Sequence, residues 1–416
     1  MTTHFNQLWA ETFRHAAEHS PYYREMFRGM KAVPPLTEVA TVDKAILSAR
    51  NLDFICVPHE RVAEIVTTSG TTGEPLLWML SDADLRRLAR NEKLSFECAG
   101  LTSRDTVLVA VAMDRCFMAG LAYWLGLREI GCSVVRTGAA SPLLVIEMIQ
   151  RVEPNVIVGV PSFLRLVADK AEDIGIELKN YNLDKAVCIG EPIRDASLTL
   201  NTSGQAIENS WGATVYSTYG VTELANSLCE CDAGRGGHLH EDQLHIEILD
   251  EAGRPMADGE VGEVVATTFG VEAMPVIRYR TGDCAALFRA PCACACGRTT
   301  PRLGPIVGRK NQKLKFKGAS LYPSTLTAVL EQSAGVDAFV IIARKESELS
   351  DTIEVLVCGS ASAATLREAF QARAKIAPQI RHAPREEIES LQMPPNARKR
   401  RTFVDLRSDV SSGDIK

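Results

Sequence analysis

Residues 66–75 read VTTSGTTGEP and concentrate hydroxyl groups and glycines between two apolar runs. A glycine-rich backbone offers several N–H donors in one concave turn, and serine and threonine hydroxyls can complete such a turn around a polyphosphate. The stretch lacks the GxxxxGK[ST] spacing of a Walker P-loop, and Glu74 stands where a phosphate-binding lysine would be expected. These residues alone leave two interpretations open, a phosphate-binding loop and a polar surface turn.

Two further glycine turns carry a carboxylate next to groups that could bind a nucleotide. In YSTYGVTEL (216–224), Thr222 and Glu223 are adjacent, and such a pair can hold Mg²⁺ and a phosphate oxygen together. In YRTGD (279–283), Asp283 follows a glycine turn and could accept hydrogen bonds from ribose hydroxyls. Taken singly, both segments are equally compatible with capping residues and ordinary turns.

The chain has twelve cysteines, and five of them lie in the segments CECDAGRGGHLHED (229–242) and PCACACGRTTPR (291–302). In a reducing compartment such clusters indicate metal ligation before disulfides. Three thiolates and one imidazole form a closed zinc set of the structural type, and the predicted ligands are Cys231, His238, Cys294 and Cys296. Alternative ligands are Cys229, His240 and Cys292. The alternative interpretation is a group of reduced cysteines without a metal.

The elements that must position these residues form an α/β pattern. Apolar strand-like runs at 105–112, 132–137, 155–160 and 185–190 alternate with helix-like segments at 120–131, 141–154 and 161–175. This alternation predicts a parallel sheet covered on both faces, with ligands bound at the carboxyl ends of its strands.

The pattern changes twice along the rest of the chain. After about residue 210, short strands separated by Gly-, Pro- and Asp-rich turns predict a β-rich part. From residue 308, strands and helices alternate in a way that predicts a small α+β module. We therefore expect a large N-terminal domain over 1–307, with its metal-bearing β-rich part at about 210–307, and a small mobile C-terminal domain over 308–416.

Composition narrows the classes of function. At 416 residues the chain is too long for one compact core. The net charge of −6 argues against nucleic acid as the main partner, because binding a phosphate backbone needs a basic face. No apolar stretch is long enough to span a bilayer, and the polar N-terminus lacks the core of a signal peptide. We expect a cytoplasmic protein that binds neither nucleic acid nor membrane.

In chain order, five segments resemble the motifs of the adenylate-forming superfamily of acyl-CoA synthetases and adenylation domains, and within it the phenylacetate–CoA ligase branch. These segments are 66–75, 216–224, 279–283, GRKNQKLKFKGASLYP (308–323) and RKRRTFVDLR (398–407). The resemblance extends from HSPYYREMF (19–27) to Arg407, and the CxCGRTxPR pattern that begins at Cys294 resembles the metal site of some members. It therefore covers nearly the whole chain.

The resemblance implies roles for single residues in binding ATP. The implied phosphate loop consists of Thr68, Ser69, Gly70, Thr71, Thr72 and Gly73. The residues implied to line adenine or ribose are Gly190, Glu191, Pro192, Tyr219, Gly220 and Asp283. Thr222 and Glu223 would address phosphate and Mg²⁺, and Tyr219 would pack on adenine.

Three more residues with implied roles lie in the C-terminal domain. Arg309 would close on ribose or phosphate. Lys399 matches the catalytic lysine, because Asp405 follows it six positions later and Arg407 follows two positions after that, which is the ending of this branch. Gly318 would line the tunnel for the thiol after the small domain has rotated.

The implied reaction is the activation of a small carboxylic acid, expected to be aromatic, as its acyl-adenylate. The acid attacks the α-phosphate of ATP, pyrophosphate leaves, and a thiol then takes the acyl group and releases AMP. Coenzyme A is the expected thiol. The alternatives are the phosphopantetheine of an acyl carrier protein, or an amine in a biosynthetic pathway. The sequence does not predict the acid itself or the oligomeric state.

Two departures from the family pattern keep a second class of function open. Glu74 replaces the usual lysine of the loop, and Asn311 replaces the usual hinge aspartate. They give the only support for a degenerate member that binds nucleotide as a regulator, whereas Thr222, Glu223, Asp283 and Lys399 are intact. The segment CFMAGLAYW (116–124) offers weak candidates for the acyl pocket, namely Phe117, Met118 and Tyr123.

Overall fold

The computed structural model describes residues 3–68, 76–289, 294, 296–316, 319–346, 350–394 and 401–407. It divides the chain into two compact units, Met1–Ile306 and Val307–Lys416. The division expected from the sequence lies one residue later, between residues 307 and 308. Each unit has its own apolar core.

The N-terminal segment of the first unit is helical and then turns into a hairpin. Its elements are α1 (Thr3–His19), α2 (Pro21–Met26), α3 (Lys44–Ala49), β1 (Val62–Thr67) and β2 (Leu77–Ser81), and the two strands pair antiparallel. Trp9, Tyr23 and Phe54 are buried here in the same core as Val264 and Tyr279 of the β-rich part. The N-terminal segment therefore packs against the β-rich part far along the chain.

A six-stranded sheet forms the centre of the first unit. Its elements, in chain order, are α4 (Asp82–Cys98), β3 (Thr106–Ala110), α5 (Met118–Ile130), β4 (Ser133–Arg136), α6 (Pro142–Val152), β5 (Val156–Gly159), α7 (Pro161–Asp173), β6 (Lys185–Ile189), α8 (Thr202–Trp211), β7 (Thr214–Val221) and β8 (Asn226–Cys229). The strand order is β4-β3-β5-β6-β7-β8, parallel up to β7 and antiparallel between β7 and β8. The predicted parallel sheet is confirmed.

Apolar side chains cover both faces of this sheet. On one face, Leu108 and Ile157 pack with Ile149 of α6 and Val167 of α7. On the other face, Val107, Val109 and Val158 pack with residues of α4 and α5. Burial of one aliphatic side chain stabilises the fold by about 1.5–3 kcal/mol. Because these strands are buried on both faces, their sequences are continuous apolar runs.

The β-rich part has five strands in the order β10-β11-β12-β13-β9, all antiparallel. They are β9 (Gly237–His238), β10 (Leu244–Leu249), β11 (Val261–Thr268), β12 (Tyr279–Phe288) and β13 (Arg302–Leu303). A buried ion pair of 2.9 Å between Arg278 Nη2 and Glu247 Oε1 lies just before β12. The five strands confirm the predicted β-rich part.

The second unit is the predicted α+β module. Its elements are β14 (Gly308–Arg309), β15 (Leu314–Phe316), β16 (Ala319–Leu321), α9 (Pro323–Glu331), β17 (Val336–Lys345), β18 (Asp351–Gly359), α10 (Ala363–Ala374), β19 (Gln379–His382), α11 (Arg385–Gln392) and β20 (Phe403–Asp405). Four strands form a sheet in the order β19-β18-β17-β20. Leu330 of α9 and Phe370 of α10 belong to one buried cluster of this unit, and Ile388 of α11 belongs to a second.

Candidate nucleotide-binding and metal sites

The turn between β7 and β8 carries the YGVTEL residues. Tyr219 and Gly220 lie near the end of β7, and Thr222–Leu224 form a single 3₁₀ turn. Ala225 follows with φ of 43°, in the left-handed region, and this residue reverses the chain into β8. A Cβ atom at Gly220 would lie 3.0 Å from the carbonyl oxygen of Asn226, so any side chain there would crowd the backbone of β8.

A bulge in β12 places Asp283 beside this turn. The register between β11 and β12 shifts between Glu263 and Val265, and Thr281 Oγ1 donates to the Val264 carbonyl at 2.9 Å. Gly282 lies within the bulge with φ of 77°, a conformation that favours glycine. Asp283 is 5% exposed, and its N–H donates to Thr281 Oγ1 at 3.1 Å.

Two phenols join the turn to β12. Tyr219 Oη donates to Asp283 Oδ2 at 3.1 Å, and Tyr279 Oη donates to Glu223 Oε1 at 3.2 Å. Burial and the neighbouring Asp283 carboxylate raise the pKa of Tyr219 well above its ordinary value, so its phenol remains a neutral donor. The structure therefore brings Tyr219, Thr222, Glu223 and Asp283 together, and it adds Tyr279, which the sequence analysis did not single out.

The described residue Thr68 closes the base of the hydroxyl-rich loop. Its N–H donates to the Leu76 carbonyl at 3.1 Å, and its Oγ1 accepts from the Leu76 N–H at 3.1 Å. Thr67 N–H also donates to the Cys116 carbonyl at 2.9 Å. The two ends of the loop are thus held together. The remaining predicted loop residues lie outside the described part of the chain, namely Ser69, Gly70, Thr71, Thr72 and Gly73, as does Glu74.

The GEP segment follows β6 at the carboxyl end of the parallel sheet. Gly190 adopts φ of 71°, and Glu191 directs its carboxylate at the N-terminus of α7. The Glu191 carboxylate accepts from Ser162 N–H at 2.9 Å and from Ser162 Oγ at 2.7 Å. A carboxylate at a helix N-terminus is stabilised by the helix dipole, so this side chain has a capping role here. Pro192 comes next, at the surface.

In the second unit, Arg309 ends β14 and Asn311 lies in the following 3₁₀ turn. Arg407 Nη2 donates to the Asn311 carbonyl at 2.6 Å, and its Nη1 donates to the Lys313 carbonyl at 2.8 Å. The predicted hinge segment is thus tied to the end of the C-terminal motif. Gly318 and Lys399 lie outside the described residues.

The four predicted metal ligands converge. The ligand atoms of Cys231, His238, Cys294 and Cys296 all lie within 4.8 Å of one another. Cys294 Sγ is 3.1 Å from Cys231 Sγ and 3.1 Å from Cys296 Sγ, and His238 Nε2 is 3.5 Å from Cys296 Sγ. His238 Nδ1 lies 3.3 Å from Thr300 Oγ1, a contact of the kind that orients a ligating imidazole.

The alternative ligands do not belong to this group. Cys229 is buried in the core beneath the sheet, and His240 Nε2 lies 3.3 Å from Ser95 Oγ. Cys292 lies outside the described residues. Burial, together with Arg298 and Arg302, lowers the pKa of His238 to about 4, so its imidazole is neutral, which is the form that binds a metal. Three sulfurs and one imidazole fit a tetrahedral zinc site without an open position.

The three pocket candidates lie at the start of α5. Met118 is buried in the core shared with the N-terminal segment, whereas Tyr123 packs on Phe96 beneath the parallel sheet, with a distance of 5.7 Å between the ring centroids. Phe117 is half-buried and directly precedes α5. Met118 and Tyr123 therefore belong to different apolar clusters.

Among the described residues, no helix combines the length and apolar character that crossing a membrane requires.

A family model for AMP-binding enzymes matches residues 27–272. The phenylacetate-coenzyme A ligase of Thermus thermophilus is 30% identical over 350 residues, which are 80% of this chain and 76% of that protein. The phenylacetate-coenzyme A ligase of Aromatoleum evansii is 32% identical over 330 residues, which are 76% of this chain and 72% of that protein.

Solved structures share the fold. The crystal structure of a 2-hydroxyisobutyryl-CoA ligase with 2-HIB-AMP, in the postadenylation state, has a TM-score of 0.83 at 22% identity and covers 97% of this chain and 88% of that one. An O-succinylbenzoate coenzyme A synthetase from Bacillus subtilis with ATP and magnesium ion has a TM-score of 0.58 at 18% identity, covering 77% of this chain and 66% of that one. From the family match and the curated relatives, this chain belongs to the family of AMP-binding enzymes, in the branch that contains the phenylacetate–coenzyme A ligases.

Proposed function

We propose that the chain is an ATP-dependent acid–coenzyme A ligase whose substrate is a small aromatic carboxylic acid. The acid is activated as its acyl-adenylate with release of pyrophosphate, and the acyl group then passes to the thiol of coenzyme A with release of AMP. The observation that carries the proposal is the convergence of Tyr219, Thr222, Glu223 and Asp283 in a chain whose curated relatives are phenylacetate–coenzyme A ligases.

The proposed nucleoside site is built from β7 and β12. Asp283 would accept hydrogen bonds from the ribose hydroxyls, because it is buried, acceptor-rich and held in place by the bulge. Tyr219 would pack its ring on adenine, and its bond to Asp283 fixes the orientation of the ring. The Gly190–Pro192 segment would line the adenine with backbone, because the Glu191 side chain is already committed to α7.

The proposed phosphate site lies on the turn after β7. Thr222 would donate its hydroxyl to a phosphate oxygen, and Glu223, oriented by Tyr279, would hold Mg²⁺. Bound there, Mg²⁺ would neutralise charge on the phosphates. The loop that starts at Thr68 would supply backbone N–H groups and hydroxyls to the pyrophosphate that leaves.

The second unit would complete the reaction. We assign Lys399 as the catalytic lysine, whose ammonium stabilises the charge that develops as the carboxylate attacks the α-phosphate. Arg309 would close on ribose or phosphate, and Gly318 would line the thiol path after rotation of the unit. The Arg407–Asn311 bond supports a defined geometry for the hinge segment.

Coenzyme A is favoured over the other acceptors. The four curated relatives that align over more than half of their own length are phenylacetate-coenzyme A ligases. The fifth, a β-alanyl-bioamine nonribosomal peptide synthetase from Drosophila melanogaster, is 26% identical, and the alignment covers only 26% of that protein. Loading of a carrier protein, coupling to an amine and a purely regulatory role are therefore not favoured.

We further propose that the cluster of Cys231, His238, Cys294 and Cys296 holds a structural zinc ion. The four residues lie after β8, on β9 and before β13, so a single ion would join the end of β8 to the short β9–β13 pairing. All cysteines of the described residues are free, which is consistent with a reducing compartment, and we propose the cytoplasm.

The test is acid-dependent exchange between ATP and pyrophosphate with a panel of benzoates, arylacetates, aminobenzoates and short fatty acids. We expect exchange with an aromatic acid, and an acyl-CoA thioester once coenzyme A is added. Exchange without a thioester would transfer the second step to a carrier protein or an amine. A purified, folded chain that exchanges with no acid would contradict the proposed function.

A further inference from the structure

One face of α4 buries polar side chains where an amphipathic helix would place apolar ones. Arg87, Asn91, Glu92 and Ser95 are each at most 9% exposed, and their spacing puts them on the same side of the helix. Burial of polar groups costs free energy unless they are hydrogen-bonded. The hydrogen-bond partners of these side chains therefore show which segments this face of α4 positions.

Arg87 binds three backbone carbonyls from three separate segments. Its Nη1 donates to Ala225 O at 2.8 Å, its Nε donates to Phe269 O at 2.7 Å, and its Nη2 donates to Gln243 O at 2.7 Å. Burial lowers its pKa to about 10, so the side chain remains charged at neutral pH. Only a planar guanidinium can direct several donors at fixed angles, which an ammonium group cannot do.

The next turns of α4 bind Ser227 through its backbone and its side chain. The Ser227 N–H donates to Asn91 Oδ1 at 2.6 Å, and its Oγ donates to Glu92 Oε2 at 2.7 Å. Its carbonyl accepts from Ser95 Oγ at 2.8 Å. The start of β8 is thus anchored to the helix on which Arg87 lies.

These hydrogen bonds hold the residues that directly follow the turn carrying Thr222 and Glu223. Ala225 directly follows this turn, and its N–H donates to the Thr222 carbonyl at 3.1 Å. The N-cap residue of α4 is Ser81, which ends β2, the strand that leaves the hydroxyl-rich loop. One helix therefore starts at the strand from the loop and also holds the end of the Thr222–Glu223 turn.

We infer that Arg87 is a positioning residue for MgATP, which holds the Thr222–Glu223 turn in place through the carbonyl of Ala225. Asn91 supports the same turn through Ser227. The inference rests on the proposed function, in which Thr222 and Glu223 contact the nucleotide. A merely structural tie would lower the amount of folded protein, but it would leave the MgATP affinity of the folded fraction unchanged.

The test compares two arginines of the same helix in the full-length chain. Arg87→Lys keeps the positive charge and loses the planar guanidinium with its several donors. The control Arg90→Lys changes an exposed arginine that pairs with Asp242. The dissociation constant for MgATP is measured by calorimetry, and the KM values for MgATP and for the acid are measured in the exchange assay. We expect Arg87→Lys to weaken MgATP binding about tenfold to a hundredfold, with the KM for the acid and the control variant within about twofold of wild type.

A folded Arg87→Lys protein with wild-type MgATP affinity would overturn the inference. Should this variant not fold, Asn91→Leu is measured in the same way, because it removes the acceptor of the Ser227 N–H at similar volume. A rise in its dissociation constant would support the inference, and an unchanged value would overturn it. If wild type itself bound no MgATP, both the inference and the proposed function would fail. If wild type bound MgATP and the variants had the same dissociation constant, the role of Arg87 would be rejected and the proposed function would stand.

Discussion

The phenol of Tyr219 donates a hydrogen bond of 3.1 Å to the carboxylate of Asp283, although 64 positions separate the two residues along the chain. Tyr219 lies near the end of β7 in the mixed sheet, and Asp283 lies in the bulge of β12 in the β-rich part. The hydrogen bond thus fixes the orientation of both side chains, one from the mixed sheet and one from the β-rich part. Of the residues predicted to line adenine and ribose, Tyr219 and Asp283 are thus directly connected.

We expect Asp283→Ala to raise the KM for ATP about tenfold to a hundredfold, because hydrogen bonds to a charged acceptor are each worth about 1.5–3 kcal/mol. Steady-state kinetics with ATP as the varied substrate measure the change. The matched variant Tyr219→Phe keeps the ring and loses only the donor, so its KM should rise less. An equal or larger effect of Tyr219→Phe would show that the phenol, rather than the carboxylate, makes the decisive contact.

Replacement of Lys399 should separate MgATP binding from the adenylation step. Lys399→Ala removes the charge proposed to stabilise the attack on the α-phosphate, and we expect pyrophosphate exchange to fall by at least about a thousandfold. MgATP binding by calorimetry should remain within about threefold of wild type, since binding draws mainly on the first unit. Arg401→Gln, two residues further on, is the control. Exchange at more than a tenth of the wild-type rate in Lys399→Ala would show that the catalytic assignment is wrong.

The metal proposal predicts about one zinc ion per chain of purified protein by elemental analysis. Cys231→Ser should lose the ion and lower the melting temperature, because a structural zinc site contributes directly to folding. Cys358→Ser, a half-buried cysteine of the second unit outside the cluster, should keep the zinc content of wild type. Zinc-free wild type that is folded and active would show that the cluster is three reduced cysteines and a histidine without a metal.

The parallel sheet and the two glycine turns after β7 and within β12 could be predicted because they depend on local patterns. Continuous apolar runs mark strands buried on both faces, as Val107–Val109 and Val156–Val158 are. The positions of Thr222, Glu223 and Asp283 follow from short motifs with fixed spacing. The bond of Tyr279 to Glu223 could not be predicted in this way, because it joins two motifs that meet only in the folded chain.

Helix α4 was not predicted, and the reason is physical. Its inward side carries Arg87, Asn91, Glu92 and Ser95, so the apolar period that identifies a helix is interrupted. Each of these side chains finds its partner in β8 or in neighbouring loops more than a hundred positions away. No pattern along the helix alone reveals that such partners exist.

Glu92 makes the stability of the protein depend on pH. Burial raises its pKa from 4.5 to about 8, against a smaller opposite effect of the bond from Ser227. Around it, α5 contributes Tyr123 and β8 contributes Cys229, while the imidazole of His240 lies beyond Ser95. No cation is hydrogen-bonded to Glu92 among the described residues, so the folded state keeps the carboxyl group protonated at neutral pH.

The sign of the effect follows from proton binding. The unfolded chain releases this proton near pH 4.5, and the folded chain releases it near pH 8. Between these values the folded state holds the extra proton, so the free energy of unfolding falls as pH rises and levels off above about pH 8. The expected slope is on the order of 1 kcal/mol per pH unit in this window.

Glu92→Gln removes this titration and keeps an acceptor for the Ser227 hydroxyl. Relative to wild type, we expect its free energy of unfolding to increase from about pH 5 to pH 8 and to stay level above. Denaturant unfolding at several pH values measures the difference. Glu208→Gln on α8, at an exposed position, is the control, and its difference from wild type should vary less because water solvates that carboxylate in both states. A flat difference for Glu92→Gln would mean that the buried carboxyl group is already ionised at pH 5 in the folded protein.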